Sequence, residues 1–174
     1  MIAAGGIPIT PDFPGIEKRY VVQAFDVLAE IVLVGKRACI IGAGRVGLET
    51  AEYLRTRGRE VTVLSRRKVE DIGADLPWPA GGHFLWRIDK VGVKKLGNVT
   101  VEKITDEEVV YYVDGKKTTL AADTVVLALG SNPNIGLAKA LKGKVPELHM
   151  IGDCVETRTA LEAIHEGYKV SMRI

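Results

Sequence analysis

Cysteine is scarce in this chain: Cys39 and Cys154 stand far apart, in no CxxC or CxxxxC pair. That excludes a disulfide framework and a dithiol redox centre made by the pair, and leaves two reduced, buried thiols as the expectation. Long apolar runs are missing too. The longest, residues 31–34 and 124–129, are far too short to span a bilayer. No basic region followed by an apolar stretch and a small-residue cleavage site opens the chain, so a cytoplasmic protein is expected. Neither sign of charge dominates. The net charge is +2, and 24 basic residues alternate with 22 acidic ones, which leaves no nucleic-acid or membrane footprint. His83, His149 and His165 have no ligand spacing to one another or to either cysteine, so no metal site is expected. Asn98-Val99-Thr100 is a glycosylation sequon that stays idle without secretion. Internal repeats and low-complexity segments are absent.

What is present is an ordinary globular composition, 47% hydrophobic and 26% charged over 174 residues. A chain of this length makes one domain with or without appendages, and buries roughly two-thirds of its unfolded surface. Residues 2–15 read as a strand end followed by an extended linker, punctuated by Gly5, Gly6, Pro8, Pro11, Pro14 and Gly15. Residues 21–28 are mildly amphipathic and end in a short helix. From Lys36 the pattern sharpens. Residues 37–41 predict a buried strand, and a helix follows from about 45 to 57, with Val46, Leu48, Ala51 and Leu54 at helical spacing and Gly58 as its stop. Residues 61–64 form the next strand, completing a βαβ unit whose crossover is expected to be right-handed. Pro77 and Pro79 break the following loop, and a helix runs over about 82–90. Trp78 and Trp86 are expected to cover core surface. Residues 100–103, 109–113 and 117–120 predict a β-meander with Asp114-Gly115 as a hairpin turn. The fully apolar run 124–128 predicts a parallel strand covered on both faces. A short strand at 150–151 and a helix over 159–174 complete an α/β chain.

Gly42-Ala43-Gly44-Arg45-Val46-Gly47 is a G-x-G-x-x-G between a predicted strand and a predicted helix, the context a dinucleotide-binding turn requires. Gly42 permits the tight turn, Gly44 lets a pyrophosphate approach the backbone, and Gly47 lets helix and strand pack closely. The helix N-terminus then offers N–H groups and a positive dipole end to the phosphates. Gly42, Gly44, Arg45, Val46 and Gly47 are therefore candidate cofactor contacts.

The end of the second strand decides which dinucleotide. NAD- and FAD-binding units place Asp or Glu there to accept hydrogen bonds from ribose hydroxyls. Here the position is Ser65, followed by Arg66, Arg67 and Lys68. A carboxylate repels a 2′-phosphate, whereas serine and arginines welcome one. Charge-assisted hydrogen bonds of about 1.5–3 kcal/mol correspond to roughly tenfold to hundredfold preference. NADPH is thus the expected nucleotide, ahead of NADH. The competing reading makes Arg66 and Arg67 a solvated surface run.

Further segments flank the glycine motif in order: Ala3-Ala4-Gly5-Gly6 with Pro8, Ala128-Leu129-Gly130 with Pro133-Asn134, and Ile151-Gly152-Asp153-Cys154. With the linker from Ile7-Pro8 to Gly15-Ile16-Glu17 and the tail Glu162-Ala163-Ile164-His165-Glu166-Gly167, they cover nearly the whole chain. In this order and spacing the chain resembles the C-terminal half of the two-dinucleotide-domain flavoproteins, in particular the trimethylamine dehydrogenase, 2,4-dienoyl-CoA reductase and 2-enoate reductase group. The resemblance implies a Rossmann-like NAD(P) domain over residues 21–147. It would be inserted into an FAD-binding-like outer domain represented by residues 1–20 and 148–174. It further implies that Gly152 and Asp153 face a flavin, with Asp153 hydrogen-bonding a ribityl hydroxyl, and that Gly130 sits by the nicotinamide half. Glu49 matches a family glutamate near the nicotinamide carboxamide; the alternative is a surface helix residue. The chain departs from that group in having no second G-x-G-x-x-G, no flavin-bearing barrel and no cysteine cluster for an iron–sulfur centre. The expectation is therefore a fragment, or a chain completed by another, that binds FAD weakly or not at all by itself.

Tyr112 and Lys116 form a Y-x-x-x-K, but that acid–base pair needs one helix face, and Asp114-Gly115 makes a hairpin turn here instead. No catalytic side chain is expected, because in nicotinamide–flavin chemistry the cofactors make the bonds while the protein positions and desolvates them. Two functions stay open: an NAD(P)H-binding part of an FAD-dependent oxidoreductase, or a non-catalytic domain holding ADP for structure. A disulfide reductase of the glutathione-reductase type would lack its paired cysteines.

Overall fold

Residues 37–41, 61–64 and 124–128 are mostly apolar on both faces, and the chain accordingly builds a parallel sheet covered on both sides. In the computed structural model, which describes residues 1–74, 76 and 80–174 (Ala80 without its side chain), the order opens with β1 (Gly6–Pro8), β2 (Val21–Gln23), α1 (Ala24–Leu28) and β3 (Arg37–Ile41). It continues with α2 (Arg45–Thr56), β4 (Glu60–Leu64), α3 (Ala80–Lys90), β5 (Lys94–Leu96), β6 (Val99–Ile104), β7 (Glu108–Val113) and β8 (Lys116–Ala121). β9 (Thr124–Leu127), β10 (Ser131–Pro133), α4 (Gly136–Leu141) and α5 (Ala160–Ser171) complete it. The breaks expected at Pro77 and Pro79, and the role expected of Trp78, lie outside the described residues.

Two compact units divide the chain, one of residues 10–129 and one of residues 1–9 with 130–174. The sequence reading drew its boundaries at 20/21 and 147/148.

In the 10–129 unit, five parallel strands stand in the order β2-β9-β3-β4-β5. Side-chain alternation sorts the core. Ala38 and Ile40 of β3, Val61 and Val63 of β4 and Val126 of β9 pack with Leu48, Ala51 and Leu54 of α2 and Ile88 of α3. Cys39 and Ile41, Leu64, and Val125 and Leu127 pack on the opposite side with Val99, Ile104, Val109 and Tyr111 of the meander β6-β7-β8. The result is three layers: helices, parallel sheet, meander. Each fully buried Val, Leu or Ile contributes about 1.5–3 kcal/mol, so this double burial anchors the sheet whose edge carries the site. The α2 helix ends in a Schellman motif, with the N–H of Arg59 donating to the Leu54 carbonyl and that of Gly58 to Arg55.

Trp86 corrects the sequence reading. It is 54% exposed, stacked at a tilt on His83 and covered by Lys90, because Ile88 two residues on takes the buried face of α3. Asp114, at φ 48°, and Gly115 form the expected turn, so Tyr112 and Lys116 sit on facing strands rather than one helix face.

In the unit of residues 1–9 and 130–174, β1 pairs antiparallel with β10. Residues 150–151 do not form the expected strand. Met150 makes a single parallel bridge to Ile2, whose N–H donates to the His149 carbonyl and whose carbonyl accepts from Ile151. Ile2, Ala138 and Cys154 form a small core. Thr159 and Glu162 make a capping box at the start of α5, which has no buried residue and exposes Leu161, Ile164 and Tyr168.

Candidate dinucleotide site

The parallel register Ile41↔Leu64 and Ile41↔Leu127 brings three chain exits to one edge of the sheet: Gly42 after β3, Ser65 after β4 and Ala128 after β9. Strand β3 continues to β4 on one side while β9 returns on the other. That reversal is the topological switch point, beyond which open α/β sheets bind ligands at their carboxyl ends. The glycine motif lies at this crevice.

Its glycines divide the labour. Gly42 has φ 113°, a left-handed backbone, and a Cβ there would fall on the Ala128 carbonyl oxygen. A Cβ on Gly47 would strike the Gly42 carbonyl oxygen and press on the Ala128 methyl. Gly44 differs. It is the N-cap of α2, it has extended backbone, and a Cβ there would meet nothing within 4 Å. Open space therefore stands over the one glycine expected to receive a pyrophosphate. Among the described residues no side chain caps the α2 N-terminus, and no acidic residue stands in its first turn, so its N–H groups and dipole remain available to an anion. Arg45 instead puts a cation at that positive end, an arrangement a bound phosphate would relieve. Its Nε donates to Glu49 Oε1 at 2.9 Å across one helical turn. Val46 follows in the same turn, its carbonyl accepting the Thr50 hydroxyl.

Ser65 is 5% exposed, and its Oγ accepts the N–H of Arg67 at 3.1 Å. Arg66 and Arg67 are exposed just beyond it. Among the described residues, the set Gly42, Gly44, Arg45, Val46, Gly47, Glu49, Ser65, Arg66 and Arg67 thus lies within the 10–129 unit, along α2 and the strand exits. Gly130, Gly152 and Asp153 belong to the other unit. There Gly130, at φ 86°, accepts the Ile9 N–H, and the Gly152 N–H donates to Glu166 Oε2 at 2.7 Å. Asp153 Oδ1 accepts the Arg158 N–H at 3.4 Å. The Gly152 N–H, and after it the Arg158 guanidinium, hold the Glu166 carboxyl below the usual glutamate range. Glu166 escaped the sequence reading, which quoted it only as part of a tail; nothing in its spacing signals a pairing with a backbone N–H fourteen residues earlier.

The residues at the strand edge fit a pyridine nucleotide, through an open cradle at Gly44 and uncapped N–H groups. A flavin dinucleotide finds no second strand–glycine-turn–helix among the described residues. No group of three or more His, Cys, Asp or Glu among them is arranged to hold a metal ion. A cleft of about 450 Å³ lies at the other end of the strands, lined by Tyr20, Arg37, Asp106 and Asp123. Two ion pairs stand at it, Arg37 with Asp123 and Asp106 with Lys18, and it lies at the opposite strand ends from the glycine turn.

Residues 1–167 match the family described as "Pyridine nucleotide-disulphide oxidoreductase". The chain belongs to this family. Among its relatives are a metal reductase of Desulforamulus reducens, 33% identical over 99% of this chain and 30% of that protein, and an NADH oxidase of Thermoanaerobacter brockii, 33% identical over 100% and 27%. A solved 2-naphthoyl-CoA reductase in complex with 2-naphthoyl-CoA superposes with a TM-score of 0.93 at 37% identity, over 99% of this chain and 26% of that one. The chain therefore spans about a quarter to a third of these relatives. The α/β architecture with a Rossmann-like parallel sheet is that of FAD- and NAD(P)-binding flavoprotein oxidoreductases. Despite the family's disulphide label, Cys39 and Cys154 are both buried and unpaired. Burial pushes the Cys39 thiol up to about 12, which leaves it protonated and inert at neutral pH. No described helix is long and apolar enough to cross a membrane.

Proposed function

We propose that this chain is the NADPH-binding module of an FAD-dependent oxidoreductase of the trimethylamine dehydrogenase, 2,4-dienoyl-CoA reductase and 2-enoate reductase group. The observation that carries the reading is the pairing at one sheet edge of an open glycine cradle with a serine–arginine–arginine exit. Gly44 and the first-turn N–H groups of α2 bind the pyrophosphate. Ser65, Arg66 and Arg67 take the adenosine ribose and its 2′-phosphate, where a carboxylate would select NADH. Glu49 belongs to the nicotinamide half. When bound, the nicotinamide supplies a hydride at C4 that a flavin accepts. Gly152 and Asp153 are this chain's contribution to the flavin's surroundings, and the remainder of the flavin site and the substrate pocket come from the flavin-bearing part of the parent enzyme. The names of the 2-naphthoyl-CoA reductase and NADH oxidase relatives support a redox role.

The test is the double variant Arg66→Ala with Arg67→Ala. NADPH affinity should fall by at least about tenfold to hundredfold, the factor for one lost charge-assisted contact, while ADP affinity holds because the cradle does not change. Unaltered NADPH affinity would remove the arginines from the site.

A further inference from the structure

The loop that carries the two arginines is clasped by backbone hydrogen bonds to the turn between β5 and β6. The Ser65 N–H donates to the Leu96 carbonyl at 2.9 Å, the Val99 N–H to the Ser65 carbonyl at 2.8 Å, and the Asn98 N–H to the Arg67 carbonyl at 3.0 Å. Inside the loop, the buried Ser65 hydroxyl accepts the Arg67 N–H. Gly97 lies flat against this clasp. A Cβ there would stand 2.5 Å from the Val69 nitrogen, 2.8 Å from the Arg67 carbonyl oxygen and 2.9 Å from the Lys68 carbonyl carbon, all of them backbone atoms that cannot rotate aside. Asn98 completes the turn at φ 55°, a left-handed conformation asparagine tolerates, and its Nδ2 donates to Asp114 Oδ1 at 3.3 Å on the β7–β8 hairpin.

We propose that the 96–99 turn is a template that sets where Arg66 and Arg67 stand, making Gly97, Asn98 and the Ser65 hydroxyl positioning residues for recognition of a 2′-phosphate. The inference rests on the NADPH reading above. Hydrogen bonds weaken steeply with distance and misalignment, so recognition by a pair of guanidinium groups needs a loop that does not wander. Four bonds on a stretch of three residues supply that order before any ligand arrives. Gly97 has no side chain to lend to a nucleotide, so its influence is purely positional.

The chain, its Gly97→Ala, Ser65→Ala and Ser65→Thr variants and the double arginine variant are titrated with NADP⁺, NAD⁺ and ADP. Wild type should favour NADP⁺ over NAD⁺. Gly97→Ala should cut that ratio by roughly tenfold while ADP affinity stays constant; Ser65→Ala should cut the ratio by a similar factor, and Ser65→Thr, which keeps the hydroxyl, should retain it. If Gly97→Ala does not fold, the two Ser65 variants carry the test, because Ser65→Ala removes one loop-ordering hydrogen bond and adds no bulk to the turn. A wild-type ratio near one sinks the arginine reading, and this inference with it. A wild-type preference that the double arginine variant abolishes, but Gly97→Ala and Ser65→Ala leave intact, overturns the template alone.

Discussion

Gly44 offers a substitution in which stability and binding separate. Its backbone, φ −74° and ψ −179°, is extended and open to any residue, and a Cβ would meet nothing within 4 Å. Gly44→Ala should leave the folded chain as stable as wild type or more so, by up to about 1 kcal/mol, since alanine loses less backbone entropy on folding. The same methyl occupies the space above the α2 N-terminus where a pyrophosphate would lie. Nucleotide affinity should therefore drop at least about tenfold, equivalent to about 1.4 kcal/mol. Gly47→Ala is the contrast. Its Cβ collides with the Gly42 carbonyl and the Ala128 methyl, so folding itself should suffer by about 1–3 kcal/mol from overpacking. Urea unfolding followed by calorimetric titration with ADP measures both quantities on each variant. Were Gly44→Ala destabilised as much as Gly47→Ala, or to bind ADP like wild type, the assignment of the open space to the phosphates would be refuted.

Other outcomes follow from the electrostatics and burial. The Arg37 guanidinium, with the Arg37 N–H, holds the Asp123 carboxyl below the ordinary aspartate range. A carboxyl depressed on folding contributes stability that is present above its unfolded value, near pH 4, and lost as pH falls through the lower folded value. Urea midpoints should accordingly fall more steeply on acidification in wild type than in Asp123→Asn, and equal slopes would discard the pair as a source of acid sensitivity. Cys39 and Cys154 are fully buried, so an aromatic disulfide reagent at mildly alkaline pH should label neither in the native chain and both in denaturant. Fast native labelling would mean that a thiol is accessible and its reactivity belongs in the function.

The sequence foretold the βαβ heart most sharply because its signals are physical and redundant there. Residues 37–41 and 61–64 are apolar on both faces, α2 has apolar positions at helical spacing, and Gly42 and Gly47 fall where backbone atoms crowd. Outside it the signals thin. Strand β5 is Lys94-Lys95-Leu96, a short edge strand paired with β4, and its lysines hide it. Strand β10, Ser131-Asn132-Pro133, has no strand propensity and exists through its pairing with β1. Trp86 was misplaced because bulk suggested burial, whereas helical phase gave the inner face to Ile88. Within the candidate site, the glycines and Ser65 were legible. The 96–99 turn was not, since its importance lies in hydrogen bonds to a loop thirty residues earlier, and no periodicity encodes that pairing.

Under the proposed function, the glycine edge binds a pyridine dinucleotide for redox use and prefers the 2′-phosphorylated form. Calorimetric titration of the chain with NADPH, NADH and ADP side by side tests it most directly. NADPH should bind more tightly than both others, by roughly tenfold or more over NADH, through the arginine contacts. Equal affinity for all three, or binding of ADP alone, would make the site a nucleotide holder and contradict hydride delivery.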